Sequence, residues 1–450
     1  MSPLMLSVWI MVATFAVLAT GIPIAFGLAL VSTVFFLAIE GFGRVPLVAE
    51  QFFNGLQDFG IVTIPMFLLM GIAVAASPAG KDLYSALDRW LNKVPGGLVL
   101  SNLGACSIFA ALCGSSPATC AAIGKMGIPE MRKRGYSAEL AAGTICAGGT
   151  LGILIPPSIT MIIYGISTGT SIGKLFIAGI LPGIMLTSLF MGWAYIYARI
   201  NREGSEKVEV HEYTWKERFE ILPKIIPFVL LVVGVLYVLY GGIATPNEAS
   251  AVGALISIIL VAVVYKMYKV KDIWAILTES MSESVMLMMI IAASFLFSFV
   301  LSNLYVTQSL ANEMVAIASN KWLLMLYINI FLLIAGCFLP PVAIILMTAP
   351  ILYPIITAAG FDPIWFGVIM TINMEIGLIT PPVGLNLFVI QGIAPDISIG
   401  KILKGSFPFV LLMMLQIILL CIFPEIATWL PEAVMKLSLI HISEPTRLRR

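Results

Sequence analysis

"GYSAELAAGTICAGGTLGILIPPS" (Gly135–Ser158) can be laid without a gap on "GFDPIWFGVIMTINMEIGLITPPV" (Gly360–Val383). Gly135 meets Gly360, Gly152 meets Gly377, and Pro156-Pro157 meets Pro381-Pro382. "SIGK" follows both copies, at Ser171–Lys174 and Ser398–Lys401, and "GIPEM" from Gly127 falls opposite "TAPIL" from Thr348. A shared glycine-to-proline spacing flanked by a repeated tetrapeptide marks an internal duplication.

Composition says which solvent the duplicated unit meets. Of 450 residues, 60% are hydrophobic and 11% charged, against about 25% charged in soluble domains. Apolar runs long enough to span a bilayer recur along the chain, and the period-2 alternation of a β-barrel is absent. The expectation is an all-α polytopic membrane protein. Met1–Leu6 has no basic residue, so no cleaved leader is expected. "LSLIHISEPTR" (Leu437–Arg447) reads like a translated sequencing adapter, so 437–450 is expected to be a non-native tail. Setting aside its Glu444, Arg447, Arg449 and Arg450 leaves 22 basic and 23 acidic residues, a balance that argues against nucleic acid as a partner. Cys106, Cys113, Cys120, Cys146, Cys337 and Cys421 all lie in apolar segments without a CxxC pair, and read as small packing residues rather than metal ligands. There is no GxxxxGK[ST], so no ATP site, and no HExxH occurs. An intramembrane enzyme built on Ser115 or Ser116 would lack a base, because His211, the one histidine outside the tail, lies in a hydrophilic loop. No catalytic residues are expected, nor any organic cofactor.

Most basic residues fall in five groups: Lys81 to Lys93, Arg132 to Arg134, Arg199 to Lys224, Lys266 to Lys271, and Lys401 with Lys404. Placing all five in the cytoplasm gives a consistent topology. The chain between Lys93 and Arg132 must then enter the membrane and return on the same side. Some 35 residues are too few for two spans of about 20 each, so they form a re-entrant hairpin whose tip is "GSSPAT" (Gly114–Thr119). The repeat predicts a second hairpin with its tip at "GCFLPPVA" (Gly336–Ala343). The first copy leaves a basic cluster and the second ends near one, so the copies run in opposite directions. Inverted repeats with proline-broken helices point to a secondary transporter with its site at the midplane. The expected order is scaffold helix or helices over 1–58, then repeat 1 over 59–200, with hairpin 1 at about 96–131 and a broken helix at 137–166. A cytoplasmic loop (201–224) and scaffold helices (225–268) follow. Repeat 2 fills 269–430, with hairpin 2 at about 322–357 and a broken helix at 362–392. Gly80–Val94 reads as an amphipathic interfacial helix bracing hairpin 1. Asn247 is a candidate N-cap, and Glu248 suits the helix N-terminus beside it.

Prolines inside a helix strip hydrogen bonds from carbonyls one turn earlier. Carbonyls at 152–155 and 377–380 are therefore expected to be free, and a bound cation would use them as ligands. The expected first sodium site comprises Ser115, Ser116, Thr119, Gly152, Ile155, Pro156 and Ser158. The second comprises Gly336, Pro340, Gly377, Thr380, Pro381 and Asn386. Ser116, Ser158, Asn373 and Asn386 are candidates for touching substrate. Glu375, inside an apolar segment, is a candidate functional acid or a brace for the broken helix.

"GSSPATCAAIG" (Gly114–Gly124), "GTLGILIPPSITMIIYG" (Gly149–Gly165), "SIGKLFIAGILPG" (Ser171–Gly183) and "NMEIGLITPPVGLNLFV" (Asn373–Val389) strongly resemble the large membrane subunit of tripartite ATP-independent periplasmic (TRAP) transporters. The resemblance covers about residues 1–430 and is strongest to the C4-dicarboxylate branch. It implies Na⁺-driven uptake of a small organic anion, with hairpins and broken helices sliding as an elevator against a scaffold in the bacterial inner membrane, among its lipids. It also implies two protein partners, a soluble periplasmic binding protein and a small four-helix membrane subunit. Many relatives carry an acid at the second tip, where this chain has Pro340, so monocarboxylates, keto acids and sulfonates stand beside C4-dicarboxylates. A stand-alone carrier that needs no binding protein is the alternative.

Overall fold

The computed structural model describes residues 2–94, 96–201, 213–317 and 320–443. His211 and residues 444–450 of the suspected tail lie outside the described residues. Every regular element described is a helix, and eight are long and apolar enough to cross a membrane. The N-terminal stretch forms two helices, Pro3–Ala19 and Ile24–Glu40. "TGIP" (Thr20–Pro23) separates them, with Gly21 at φ +83°, a left-handed conformation that glycine adopts freely.

The duplication is deeper than the sequence alignment. Hairpin 1 consists of Gly97–Cys113 and Ser116–Lys133, hairpin 2 of Lys321–Phe338 and Pro341–Ala358. Cys113 answers to Phe338, Ser116 to Pro341 and Lys133 to Ala358, all at the 225-residue spacing that relates Gly135 to Gly360. Pro129 therefore answers to Pro354 and not to Pro350, so setting "GIPEM" against "TAPIL" is one helical turn out of register. Hairpin 2 carries prolines a turn apart within its second arm, and sequence alone offers either as the match. The bracing helix Ala79–Leu91 answers to Val306–Ile317. The arm before it, Phe42–Asn54 and Phe59–Ala75, is bent by 50° and answers to the single 34-residue helix Val270–Asn303. At this spacing the first copy's arm starts before residue 59. The bend presses on the opposite arm: a Cβ on Gly55 would lie 2.9 Å from the Cβ of Phe295.

The broken helices are Ala138–Leu154 with Ile159–Thr168, and Pro363–Leu378 with Leu385–Ile393. Lys404, just after the second one, pairs with Glu139 at the start of the first, at 3.0 Å. Tyr164, near the end of the first, donates to the carbonyl of Pro363 at the start of the second, at 2.8 Å. Each begins where the other ends, so the two copies are inverted. They are also interleaved. Ile159–Thr168 packs on hairpin 2, Leu385–Ile393 packs on hairpin 1, and each scaffold helix, Ile24–Glu40 or Pro246–Tyr265, packs on the other copy's arm. Within the first broken helix 89% of the apolar window is buried, against 33% for the scaffold helices Leu222–Tyr240 and Pro246–Tyr265. The broken helices are the core, and the scaffold pair turns apolar faces outward, as helices solvated by lipid do.

The basic groups meet at one end. Arg134 forks onto Asp88 of the bracing helix at 3.0 and 2.9 Å, and Arg132 pairs with Asp396. Lys224 approaches Asp82 at 3.8 Å, and Arg89 donates to the carbonyl of Glu217. Burial and the Asp88 carboxylate push the Tyr213 phenol up, and its hydroxyl donates to Asp88. This clustering is what a single cytoplasmic face requires. Asp88 is only 6% exposed in its side chain, so removing its partner leaves a buried charge. Arg134→Leu should lower stability by about 3 kcal/mol, read as a fall in Tm of the purified protein, with Arg134→Lys intermediate because it loses the fork.

At the scaffold turn the N-cap is Thr245, not Asn247. Thr245 and Glu248 form a reciprocal capping box, while the Asn247 side chain is turned to the arm, accepting from Thr63 and donating to the Phe59 carbonyl. Pro246 fixes this choice, since proline favours the first helical position and makes the preceding residue the cap.

Candidate functional site: two hairpin tips on two helix breaks

Each hairpin runs beside the first half of its broken helix and stops at the break. The first tip therefore lies partway along a 31-residue broken span. Its turn passes through Gly114 at φ +59°, where a Cβ would stand 2.6 Å from the carbonyl oxygen of Pro157. A Cβ on Gly152 would stand 2.9 Å from the Ser115 carbonyl. At the second tip, a Cβ on Gly377 would stand 2.4 Å from the carbonyl oxygen of Gly336. Gly152 and Gly377, equivalent in the repeat, do the same work: each lets a hairpin tip touch the broken backbone.

The breaks carry the expected prolines, but not every carbonyl expected to be free is so: that of Gly377 accepts from the N–H of Thr380 at 3.4 Å. Pro156 and Pro157 have no N–H to offer Gly152 and Ile153, nor have Pro381 and Pro382 for Gly377 and Leu378. Both Pro-Pro bonds are cis. The N–H of Ile155 closes the first half onto Leu151 at 3.1 Å. Val383, beyond the second break, instead donates to the Cys337 carbonyl of the hairpin tip at 3.0 Å, a backbone bond tying tip to break.

Several hydroxyls already have partners. Thr119 donates to the Ser115 carbonyl at 2.8 Å, and Ser158 caps Ile159–Thr168, accepting from Met161 at 3.3 Å and meeting Thr160 at 2.9 Å. Thr380 donates to Ile376 at 2.8 Å. Two cysteines join the tips: Cys113 lies 3.2 Å from the Thr119 hydroxyl, and Cys337 lies 3.3 Å from that of Thr380. Reading them as packing residues missed these thiol–hydroxyl pairs, although position flags them, since both fall at a hairpin tip. Pro340 occupies the N-cap of the second tip's outgoing arm without a side-chain cap bond.

The asparagines part company. Asn373 donates to Asn329 of hairpin 2 at 2.7 Å and to the Ile369 carbonyl at 2.9 Å, so it braces hairpin against helix below the tip. Asn329 is a residue that sequence reasoning missed, and the signal was there: a lone amide in the apolar run Lys321–Phe338. Asn386, grouped by sequence with the second tip, faces the first. Its Nδ2 donates to the Ser116 Oγ at 2.9 Å and to the Cys146 carbonyl at 3.3 Å. Glu375 is likewise turned to the first tip, with Ser116 and the backbone of Ile153 beside its carboxyl. For Asn386 the physical reason is the interleaving, since the second half of each broken helix lies on the opposite hairpin; Glu375 reaches across from a first half, because Pro363–Leu378 also packs on Ala138–Leu154. The structure thus gathers Ser115, Ser116, Thr119, Gly152, Ile155, Pro156 and Ser158 with Asn386 and Glu375. Gly336, Gly377, Thr380 and Pro381 are gathered at the second tip, where the Asn373 carbonyl would lie 3.5 Å from a Cβ on Gly336, while the Asn373 side chain turns to Asn329 and Ile369.

Inverted hairpins seated on broken helices, buried inside a bundle of membrane-length helices, define a multi-pass secondary transporter rather than an enzyme. Residues 11–426 match the family described as "Tripartite ATP-independent periplasmic transporter, DctM component". The "C4-dicarboxylate TRAP transporter large permease protein DctM" of Pseudomonas aeruginosa is 39% identical, over 85% of this chain and 89% of that protein. The "Isethionate TRAP transporter permease protein DctMQ" of Oleidesulfovibrio alaskensis is 34% identical, over 91% of this chain and 64% of that protein. Among solved structures, the Alcanivorax borkumensis YdaH transporter shares the fold, with a TM-score of 0.63 at 16% identity, covering 88% of this chain and 90% of that one. The chain belongs to the DctM component family of TRAP transporters.

Proposed function

We propose that the chain is the transport subunit of a Na⁺-coupled importer in the bacterial inner membrane. It takes a small organic anion, a C4-dicarboxylate in preference, from a soluble periplasmic binding protein. The observation that carries the reading is the direct seating of both tips on both proline breaks, the arrangement of inverted-repeat secondary transporters that coordinate ions on broken backbone. Na⁺ is cargo here, and its descent supplies the work: each charge crossing 100 mV yields about 2.3 kcal/mol. The hairpins and broken helices move together as an elevator. The substrate class follows the Pseudomonas relative, and the isethionate relative keeps sulfonates in view. The fused name of the latter supports a small membrane subunit as partner, seated on the outward apolar face of the scaffold pair.

The test is uptake into proteoliposomes holding this chain and its small subunit. Labelled C4-dicarboxylate should accumulate only with an inward Na⁺ gradient and the cognate binding protein. Uptake without binding protein would favour the stand-alone carrier, and uptake indifferent to Na⁺ would overturn the coupling.

A further inference from the structure

Glu375 is fully buried, and neither carboxylate oxygen has a hydrogen-bond partner. Ser116 and the Ile153 backbone lie beside it without closing a bond of normal geometry, and among the described residues no basic side chain pairs with it. The Oδ1 of Asn386, also fully buried, is unpartnered too. Its orientation is fixed, because Nδ2 is committed to Ser116 and Cys146. Three lone-pair-bearing oxygens and the Ser116 hydroxyl thus share one buried neighbourhood, with the Ile153 N–H beside the carboxyl and no basic side chain among the described residues to balance it. An ionised carboxylate so placed calls for a cation. The second tip differs: the Thr380 hydroxyl is satisfied by Ile376, and no acid stands there.

We propose that Glu375 is the anionic ligand of the cation at the first tip, with Asn386 Oδ1 and Ser116 Oγ as its neutral companions, so that this site is built from both copies of the repeat and is the stronger of the two. The inference rests on the Na⁺-coupled reading above. It deepens that reading in one respect, since binding at the first tip staples the second copy's broken helix to the first hairpin. Ligand charge count is what sets the affinity of oxygen cages for hard cations.

The test is Na⁺ binding to purified protein without substrate, binding protein or gradient, read as the rise in Tm with Na⁺ at constant ionic strength in K⁺. The wild-type protein should be stabilised saturably by Na⁺. Glu375→Gln should raise the half-saturating Na⁺ at least about tenfold, while melting no lower than wild type in K⁺. Thr380→Val, at the neutral second tip, should move it less. Should Glu375→Gln fail to fold, Glu375→Asp keeps the charge but withdraws it by one methylene, and a smaller shift in the same direction is expected. An unchanged half-saturation in the folded variant, or a wild-type protein indifferent to Na⁺, overturns the proposal. Failure of uptake alone, with Na⁺ binding intact, would count against the transport reading and leave this one standing.

Discussion

Gly377→Ala should reduce Na⁺-driven uptake about a hundredfold or more while leaving the protein monodisperse and folded. The added Cβ would lie 2.4 Å from the carbonyl oxygen and 2.5 Å from the carbonyl carbon of Gly336. Both are backbone atoms, so no rotamer change relieves the clash, and the hairpin tip must lift by about an ångström. A displacement of that size at a reacting or binding centre is enough for a loss of about 10²-fold. The Val383 to Cys337 backbone bond across the same contact would stretch with it. Gly152→Ala should follow the same course more mildly, since its Cβ would stand at 2.9 Å from Ser115. Gly392→Ala is the control: nothing lies within 4 Å of a Cβ there, and uptake should be unchanged. Initial uptake rates in proteoliposomes, beside size-exclusion profiles and Tm, decide the matter. A Gly377→Ala protein transporting at the wild-type rate would mean that the tip does not need to close on the break.

Much of this site was legible because glycine and proline carry their own physics. A glycine needed for close backbone approach and prolines that empty a hydrogen-bond ladder hold their positions in both copies, which is why Gly152, Gly377 and the two Pro-Pro pairs could be placed from sequence. The first hairpin followed from counting residues between charges, and the second from the repeat. Partnerships across the repeat were not legible. Asn386 follows the second break in sequence, and only the interleaving of the copies carries it to Ser116. Glu375, given no tip from sequence, reaches the first one where Pro363–Leu378 packs on Ala138–Leu154. The register of hairpin 2 was undecidable while Pro350 and Pro354 stood a turn apart. The capping residue at the scaffold turn was legible and misread: Thr245-x-x-Glu248 is the capping-box spacing, and Pro246 marks the first helical position.

Asn386→Asp tests the cross-repeat contact most severely. Asparagine is held here by what it donates: Nδ2 serves the Ser116 Oγ and the Cys146 carbonyl at once. Aspartate is nearly isosteric but donates nothing when ionised. It would set a carboxylate against a carbonyl oxygen, and a second negative charge in the neighbourhood that holds Glu375, all of it fully buried. Each effect alone costs about 1–3 kcal/mol for a buried polar group left unpaired, and like charges in a low dielectric add to it. Uptake should fall to background. Asn386→Ala loses the donors without adding charge and should retain a measurable fraction of transport, so the order expected is wild type, then alanine, then aspartate. The pairing also predicts coupling. Ser116→Ala combined with Asn386→Ala should be less damaging than the two losses multiplied, because the shared hydrogen bond can be lost only once. Uptake rates that multiply across the pair would place Asn386 and Ser116 in independent roles and take the link between the two copies out of the transport mechanism.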